Sequence, residues 1–397
     1  MTTTSLPAGA PQDRGSEQSL EQQALAGLSQ GQLVRRRFFR HKGAMIALGV
    51  LILTILLAFT SVGTVVGGTG KLEAGPTGDL QINGWRIPGW WPLDWFTAYP
   101  IVNGGAPTLT LFPFSIGEHP FGQDTLGKDV FAQVMRGTQQ SITVMLLVGI
   151  VSLVLGVLLG ALSGFYRGWI DSLIMRFTDV IIILPIIVIG SIIGRLLGGA
   201  NAWVFGLFLG ILSWTGLARL VRGEFLSLRE REFVDAARVA GATNGRIIFR
   251  HILPNAVGII IVNTTLLMSA AVLTEAALSF IGFGIQYPDV SLGQIISTYR
   301  EAFRTRPWLF WWPGLFIIIL ALCINFIGDG LRDAFDPRQQ SKIGRKSAKA
   351  VGAIPSVQAV MMVEGPTSTD DPEARVIDQF EGLPGPDPKP RPTDDQP

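Results

Sequence analysis

The sequence has little cysteine, little histidine and few charged residues for a chain of 397 residues. Its single cysteine, Cys323, excludes a disulfide within the chain and a cluster of thiolate metal ligands. The three histidines, His41, His119 and His251, lie too far apart in the sequence to have metal-ligand spacing. We therefore expect no metal site and no cofactor site on this polypeptide.

The sequence also lacks a phosphate-binding loop of the form Gly-x-x-x-x-Gly-Lys-Ser/Thr. Segment 63–70, GTVVGGTG, is rich in glycine but has no lysine. No Ser/His/Asp set for nucleophilic catalysis can be argued from the sequence. We expect that the chain is not an enzyme and has no catalytic residue, so that ATP and Mg, if they are used, are bound by partner subunits.

The residues that are abundant are apolar. Hydrophobic residues make up 48% of the chain and charged residues only 16%, with 47 glycines, and the mean hydropathy is positive. These values indicate a membrane protein that crosses the bilayer several times. A net charge of +2 is too small to indicate a nucleic-acid partner, and the lipid bilayer is the expected surrounding.

The uncharged runs predict an all-α membrane protein with six transmembrane helices. About 20 apolar residues cross a bilayer as a helix, and no alternating pattern indicates a membrane barrel. The predicted spans are residues 45–66, 137–166, 177–194, 196–218, 252–274 and 307–328.

Segments outside the spans complete the predicted organisation. The predicted units are a disordered cytoplasmic N-terminus (1–28), an interfacial helix with the first span (29–66), a long external loop (67–136), the core (137–331) and a mostly disordered cytoplasmic tail (332–397). Lysine and arginine near the helix ends place both termini in the cytoplasm. Arg195, Arg300, Arg304 and Arg306 fall on the other side, against that rule.

A polar helical hairpin, residues 224–254, interrupts the apolar spans. Its small residues Ala236 and Ala237 would let another protein approach closely, and Gly241 would allow the chain to turn. Asp235 and Arg238 would make polar contacts around them. These features favour a docking element for a soluble partner. The later residues of the hairpin include His251 and Pro254, and proline predicts a kink there.

Segment 235–254 resembles the cytoplasmic signature loop of the membrane subunits of binding-protein-dependent ABC importers, with Asp235 in place of the usual Glu. Three further stretches resemble the C-type subunit of the dipeptide, oligopeptide and nickel permeases. They are HPFGQDTLGKDVFAQVMRG (119–137), LTEAALSFIGFGIQYP (273–288) and NFIGDGLRDAFDPR (325–338). Together the resemblance covers roughly residues 30–338.

The resemblance implies a type I ABC importer permease core in a bacterial or archaeal inner membrane. The implied partners are a second homologous permease subunit, two ABC ATPase subunits and an extracytoplasmic substrate-binding protein. The implied cargo is di- or oligopeptides, while nickel chelates or another small solute stay open. The residues expected to couple this chain to the ATPases are Asp235, Ala236, Ala237, Arg238, Gly241, His251 and Pro254.

Other functions fit parts of the same pattern. A secondary transporter or channel would need no ATPase, but it would predict more charges within the spans than this chain has. A membrane scaffold or receptor would use its tail to recruit partners. Glu275 and Ser279, near the end of the fifth span, are either helix-packing residues or part of an external gate or pathway. The external tryptophans either lie against the membrane or form a landing surface for the binding protein.

Overall fold

The computed structural model describes residues 30–66, 72–74, 80–82, 85–111, 114–196, 201–285, 287 and 289–335. The expectations of disorder for residues 1–28 and for the tail after residue 335 lie outside the described residues. Within these ranges the chain is nearly all helical. The helices are α1 (Gln30–Arg40), α2 (Lys42–Ser61), α3 (Val130–Tyr166), α4 (Gly168–Ile183), α5 (Ile186–Leu196), α6 (Ala202–Arg229), α7 (Glu232–Val239), α8 (Asn244–Arg246), α9 (Leu253–Phe280), α10 (Leu292–Thr298) and α11 (Trp308–Phe335).

The described helices bear out the all-α membrane fold. Five helical stretches are long and apolar enough to cross a membrane: α2, α3, α6, the stretch Asn244–Phe280 that contains α8 and α9, and α11. A sixth span results if α4 and α5, which are bent by 78° relative to each other, are counted together. A π-helical segment, Ile247–Ile252, joins α8 to α9.

Several predicted boundaries were wrong. The second span begins at Val130, not at residue 137, because the side chain of Asp129 caps α3 by accepting a hydrogen bond from the amide of Ala132 at 2.9 Å. The third span begins at Gly168, and the fourth begins at Ala202 rather than at residue 196. The last helix continues to Phe335, whereas the predicted span ended at residue 328.

The stretch predicted as the third span consists of two helices with a break between them, and this break was not predicted from the sequence. The break lies at Leu184 and Pro185, where Leu184 has extended backbone angles (φ −73°, ψ 120°). Proline has no amide hydrogen to donate, and its ring disfavours helical geometry in the residue before it. The chain therefore leaves α4 before Pro185 and starts α5 after it.

Close packing of α3 on α6 forms the centre of the bundle. Glycines spaced four residues apart on α3, at 156, 160 and 164, lie against side chains of α6. A Cβ atom on Gly160 would lie 2.6 Å from the carbonyl oxygen of Ala218 and 2.8 Å from Cβ of Val221. Small residues at this spacing let two membrane helices approach closely, so the glycine ridge fixes the distance between α3 and α6.

The predicted external loop contains a folded segment between α2 and α3. Its short strands pair antiparallel as β1 (Thr64–Val66) with β4 (Trp85–Ile87), β2 (Leu72–Ala74) with β3 (Leu80–Ile82), and β5 (Thr110–Leu111) with β6 (Phe114–Ser115). Trp95 is buried, and Trp91 packs on Phe131 of α3 with ring centroids 4.8 Å apart. Trp95 is a core residue and Trp91 packs against the core, whereas Trp90 is exposed. We call this end of the bundle the strand end and the opposite one, which carries α7 and α8, the hairpin end.

Candidate functional site

The predicted docking element is a helical hairpin whose turn is closed by hydrogen bonds of its own backbone. Helix α7 ends at Val239, and Gly241 follows with φ +80°, a conformation that favours glycine. The Gly241 amide donates to the Arg238 carbonyl at 2.9 Å, and the Ala242 amide donates to the Ala237 carbonyl at 3.0 Å. This pair of bonds is the Schellman arrangement, which satisfies carbonyl groups left over at a helix end. The turn predicted at Gly241 therefore lies where the sequence placed it.

One apolar side of the hairpin is anchored in the body of the protein. Val234 of α7 is fully buried in a cluster with Phe225 of α6 and with Ile247 and Ile252 of the π-helical segment. Ala237 packs against the same cluster and is partly buried. It therefore faces inward, whereas the sequence analysis grouped it with the residues that a partner would touch.

The opposite side of the hairpin exposes large apolar side chains that the sequence analysis missed. Val239 is 91% exposed and Phe249 is 65% exposed, and Phe233 is also exposed. Ala236 is exposed beside them, as are Asp235 and Arg238, which form an ion pair at 2.8 Å. Apolar side chains surrounded by charged residues are typical of a protein interaction surface. This surface could have been predicted from the sequence, because Phe233, Val239 and Phe249 are large apolar residues among the arginines of the hairpin.

The last two predicted coupling residues lie where the hairpin joins α9. Pro254 does not end the helix, since the preceding segment is π-helical and the Leu253 amide donates to the Ile248 carbonyl. His251 is partly buried, and its carbonyl accepts a hydrogen bond from the side chain of Asn255 at 2.6 Å. A wider turn thus accommodates the proline, and the chain passes from hairpin to span as one continuous helical stretch.

Ion pairs attach the base of the hairpin to neighbouring helices. Arg222 of α6 binds both carboxylate oxygens of Asp171 of α4, with two distances of 2.6 Å. Arg167, between α3 and α4, binds Glu230 just after α6 at 2.5 Å. Arg229 also donates to the Phe165 carbonyl at the end of α3. A displacement of the hairpin would therefore act on α3 and α4 as well as on α6 and α9.

At the strand end, Glu275 and Ser279 are packed between helices. Glu275 is fully buried; its carboxylate accepts hydrogen bonds from Ser141 of α3 at 2.9 Å and from Ser279 at 2.8 Å. Ser291, the N-cap of α10, also bonds to Glu275. The geometry corresponds to the helix-packing alternative, because the carboxylate points to α3 and to the start of α10. A role in a gate stays a prediction.

The motif at 119–137 forms a buried polar network that caps the strand end of α3. The Asp129 carboxylate lies 2.9 Å from Nδ1 of His119 and accepts a hydrogen bond from the Trp91 indole at 3.0 Å. Burial raises the pKa of the Asp129 carboxyl, although the bonds to His119, Ala132 and Trp91 act in the opposite direction. A structural role for His119 and Asp129 was not predicted from the sequence.

A second part of this network joins α3 to the region around α10. Arg136 binds both oxygens of Asp289 at 2.6 and 3.0 Å and lies 4.8 Å from the centre of the Trp95 ring. Tyr299 donates its hydroxyl to Asp124 at 2.5 Å. Burial and the neighbouring Asp124 raise the pKa of the Tyr299 hydroxyl, so it stays neutral and can donate. This end of the bundle is therefore held by charge-assisted hydrogen bonds.

A bundle of apolar helices long enough to span a membrane, with a packed hairpin at one end and a folded cap at the other, defines the class: a multi-pass membrane protein. Comparison with protein families gives the particular family. Residues 156–341 match the family described as "Binding-protein-dependent transport system inner membrane component", and residues 29–63 match "N-terminal TM domain of oligopeptide transport permease C". The chain belongs to this family of ABC importer permeases, located in the inner membrane.

Two relatives, each matched by this chain over most of the relative's own length, show this membership. The oligopeptide transport system permease protein OppC of Mycobacterium tuberculosis (strain ATCC 25618 / H37Rv) is 40% identical over 225 residues, which cover 56% of this chain and 77% of the relative. OppC of Haemophilus influenzae is 33% identical over 321 residues, covering 81% of this chain and 93% of the relative. Among solved structures, an inward-facing MetNI methionine ABC transporter chain aligns with a TM-score of 0.43 and 20% identity, covering 51% of this chain and 96% of that chain.

Proposed function

We propose that this chain is the C-type permease subunit of an ATP-driven importer and carries di- or oligopeptides inward. The observation that carries the proposal is the hairpin. Its inner side is fixed by Val234, and its outer side presents Phe233, Val239 and Phe249 to a partner. In the proposed assembly that partner is one of two ABC ATPase subunits, which bind ATP and Mg, while this chain holds no cofactor and no catalytic site.

The hairpin would transmit force through its supports. When an ATPase subunit moves, the exposed side of α7 moves with it, and the buried Val234 passes the displacement to α6 and α9. The ion pair between Arg222 and Asp171 extends that displacement to α4. Asp235, Ala236, Arg238 and Gly241 would form or shape the docking surface, while Ala237, His251 and Pro254 would connect it to the bundle.

The remaining partners follow from the family. A second homologous permease subunit would complete the pathway, and an extracytoplasmic binding protein would deliver the cargo to the strand end. Both termini would then lie in the cytoplasm, on the side of the hairpin. The peptide cargo is supported by the names of the relatives, which are oligopeptide permeases. Nickel chelates or another small solute are the alternative cargo.

The test is the ATPase activity of the assembled complex in lipid vesicles, measured with candidate binding proteins and their ligands. The proposal predicts that a binding protein loaded with a peptide stimulates hydrolysis and that the peptide accumulates inside. If only a binding protein loaded with a nickel chelate stimulates hydrolysis, the cargo is a nickel chelate and not a peptide. Uptake that proceeds with no ATPase subunit present would contradict the proposal and favour a secondary transporter.

A further inference from the structure

A cavity of about 430 Å³ lies at the level of the spans, beside the break between α4 and α5. Pro185 lies on its wall at the break, beside residues of α4 and α5, and α3, α6 and α9 supply the rest. Most of the wall is aliphatic, with hydroxyl groups of Ser213, Thr215 and Thr274 among the side chains. No charged side chain is among the described residues that line this cavity.

A polar side chain continues the wall of the cavity along α9 toward the hairpin end. Asn263 lies one turn before Leu267, which lines the cavity, and on the same helix face as Ala270 and Thr274. Asn263 is partly buried, and its side-chain amide donates to the Ile259 carbonyl at 2.8 Å. Within the described part of the chain its carbonyl oxygen has no hydrogen-bond partner. A side-chain carbonyl oxygen without a hydrogen-bond partner is poorly suited to face lipid hydrocarbon.

An ion pair lies at the corresponding level between α4 and α6. Arg219 is one turn beyond Thr215 toward the hairpin end, and Asp179 is two residues before Ile181, which also lines the cavity. The two charged groups are 2.5 Å apart, and each side chain is 47% exposed. Charged residues inside spans almost always face a bundle interior, a partner or a water-filled space.

The hydroxyl groups of the cavity, the amide of Asn263 and the ion pair of Asp179 with Arg219 lie on α4, α6 and α9. They follow the cavity and its continuation toward the hairpin end. We infer that this surface is the wall that this subunit contributes to the solute pathway. Ser213, Thr274 and Asn263 supply hydroxyl and amide groups that pair with the backbone of an extended peptide. The pair of Asp179 and Arg219 closes the hairpin-side end of the wall.

The composition of the wall also defines a substrate class. The neutral donors and acceptors suit peptide N–H and C=O groups, which every peptide has in common. The aliphatic, uncharged cavity makes no fixed ionic contact with a particular side chain. The contacts that the wall offers are therefore to the peptide backbone and not to particular side chains. This inference rests on the peptide cargo of the proposed function, while the location of the wall does not.

Cysteine labelling of the assembled complex in lipid vesicles tests the location of the wall. The buried Cys323 is first changed to Ala, and a cysteine is then placed at Asn263, at Thr274, or at the control position Leu53, which is exposed on α2. A thiol that faces lipid is desolvated and stays protonated, so it reacts slowly with a water-soluble maleimide. We expect the cysteines at 263 and 274 to react at least about tenfold faster than the control, which is the effect of one unit of thiol pKa.

Each other labelling pattern would overturn the inference. Reaction of the 263 cysteine only with a lipid-soluble maleimide would show that α9 faces lipid. Resistance to both reagents, with or without nucleotide, would show that the face is sealed against the second permease subunit. ATPase stimulation by the binding protein is measured in the same vesicles and reports the proposed function separately, because it can persist when the labelling pattern fails.

Peptide uptake tests the chemistry of the wall. The Asn263→Leu variant removes the amide and keeps an aliphatic side chain of similar size, whereas Asn263→Gln keeps the amide. We expect about tenfold slower uptake in Asn263→Leu, because the loss of one hydrogen bond corresponds to a factor of about ten. Uptake should recover in Asn263→Gln. Assembly, measured by co-purification of the subunits, should be unchanged in both. Equal uptake by the two variants would contradict a substrate contact at Asn263.

Discussion

At the residue scale, Gly241 shows how one backbone angle determines the geometry of the hairpin. Its φ of +80° is accessible to glycine at little cost, and a Cβ at this position would meet nothing within 4 Å. The constraint is therefore conformational and not steric. A β-branched residue would have to adopt a strained backbone or abandon the Schellman bonds, at a cost of about 1–3 kcal/mol.

The Gly241→Val variant should uncouple the transporter. We expect it to insert and to assemble, because its buried anchor Val234 is unchanged, but to lose uptake and binding-protein stimulation of the ATPase. Gly245→Val is the matched control, since Gly245 lies in the same hairpin with open space around it and no positive φ. Uptake and coupled ATPase activity are measured for both. Normal uptake by the Gly241 variant would contradict the role of the turn.

Glu275 provides a second prediction at this scale, which separates packing from gating. Changing Glu275 to Leu would leave the hydroxyls of Ser141, Ser279 and Ser291 without their shared acceptor, at a cost of about 1–3 kcal/mol. Glu275→Gln keeps an acceptor and should cost less. Thermal unfolding in detergent should show the larger loss for Leu. If both variants unfold like the parent but lose uptake, Glu275 acts in the pathway and the packing account is wrong.

At the element scale, the α3–α6 contact depends on the glycine ridge. A Val at Gly160 would place its Cβ within 3 Å of α6 backbone and side-chain atoms, and overpacking of this kind costs about 1–3 kcal/mol. Gly160→Val should therefore lower the unfolding temperature in detergent. Gly49→Val on α2 is the control, because a Cβ there meets nothing within 4 Å. Equal unfolding temperatures for the two variants would show that the ridge does not set the helix distance.

The hairpin as an element leads to a binding prediction. Val239→Asp puts a charge at the centre of the exposed apolar surface, where a docked ATPase subunit would desolvate it. Co-purification of the ATPase subunits with this chain should be lost. Gly245→Asp adds the same charge elsewhere on the hairpin and should retain them. If both variants retain the ATPase subunits, Val239 is not part of the docking surface.

The turn of the hairpin was predictable from the sequence because glycine and its neighbours act locally. The start of α3 was not, because Gln133, Arg136 and Gln139 resemble loop residues in a pattern of hydropathy. They are buried in the structure, and their partners include Asp289 and the carbonyl of Ala58, far away in the sequence. No local pattern reports such distant bonds. Pro185 was visible in the sequence, but the hydropathy does not change at this position, so the hydropathy pattern gave no sign of the break.

At the scale of the whole molecule, the two ends of the bundle differ in a way that fits a coupled machine. The strand end is held by buried charge-assisted bonds, such as the contact of Arg136 with Asp289. The hairpin end offers exposed apolar side chains on a firmly packed support. The cavity, Asn263 and the ion pair of Asp179 with Arg219 lie between these ends, on α4, α6 and α9. Force applied at the hairpin would therefore reach the pathway through α6 and α9 directly.

The most direct test of this account is the ratio of solute taken up to ATP hydrolysed, measured in vesicles that contain the assembled complex and the loaded binding protein. The account predicts a fixed ratio for the parent, retained in Gly245→Val, and hydrolysis with almost no uptake in Gly241→Val. Accumulation of solute by this chain alone, with no nucleotide consumed, would contradict it.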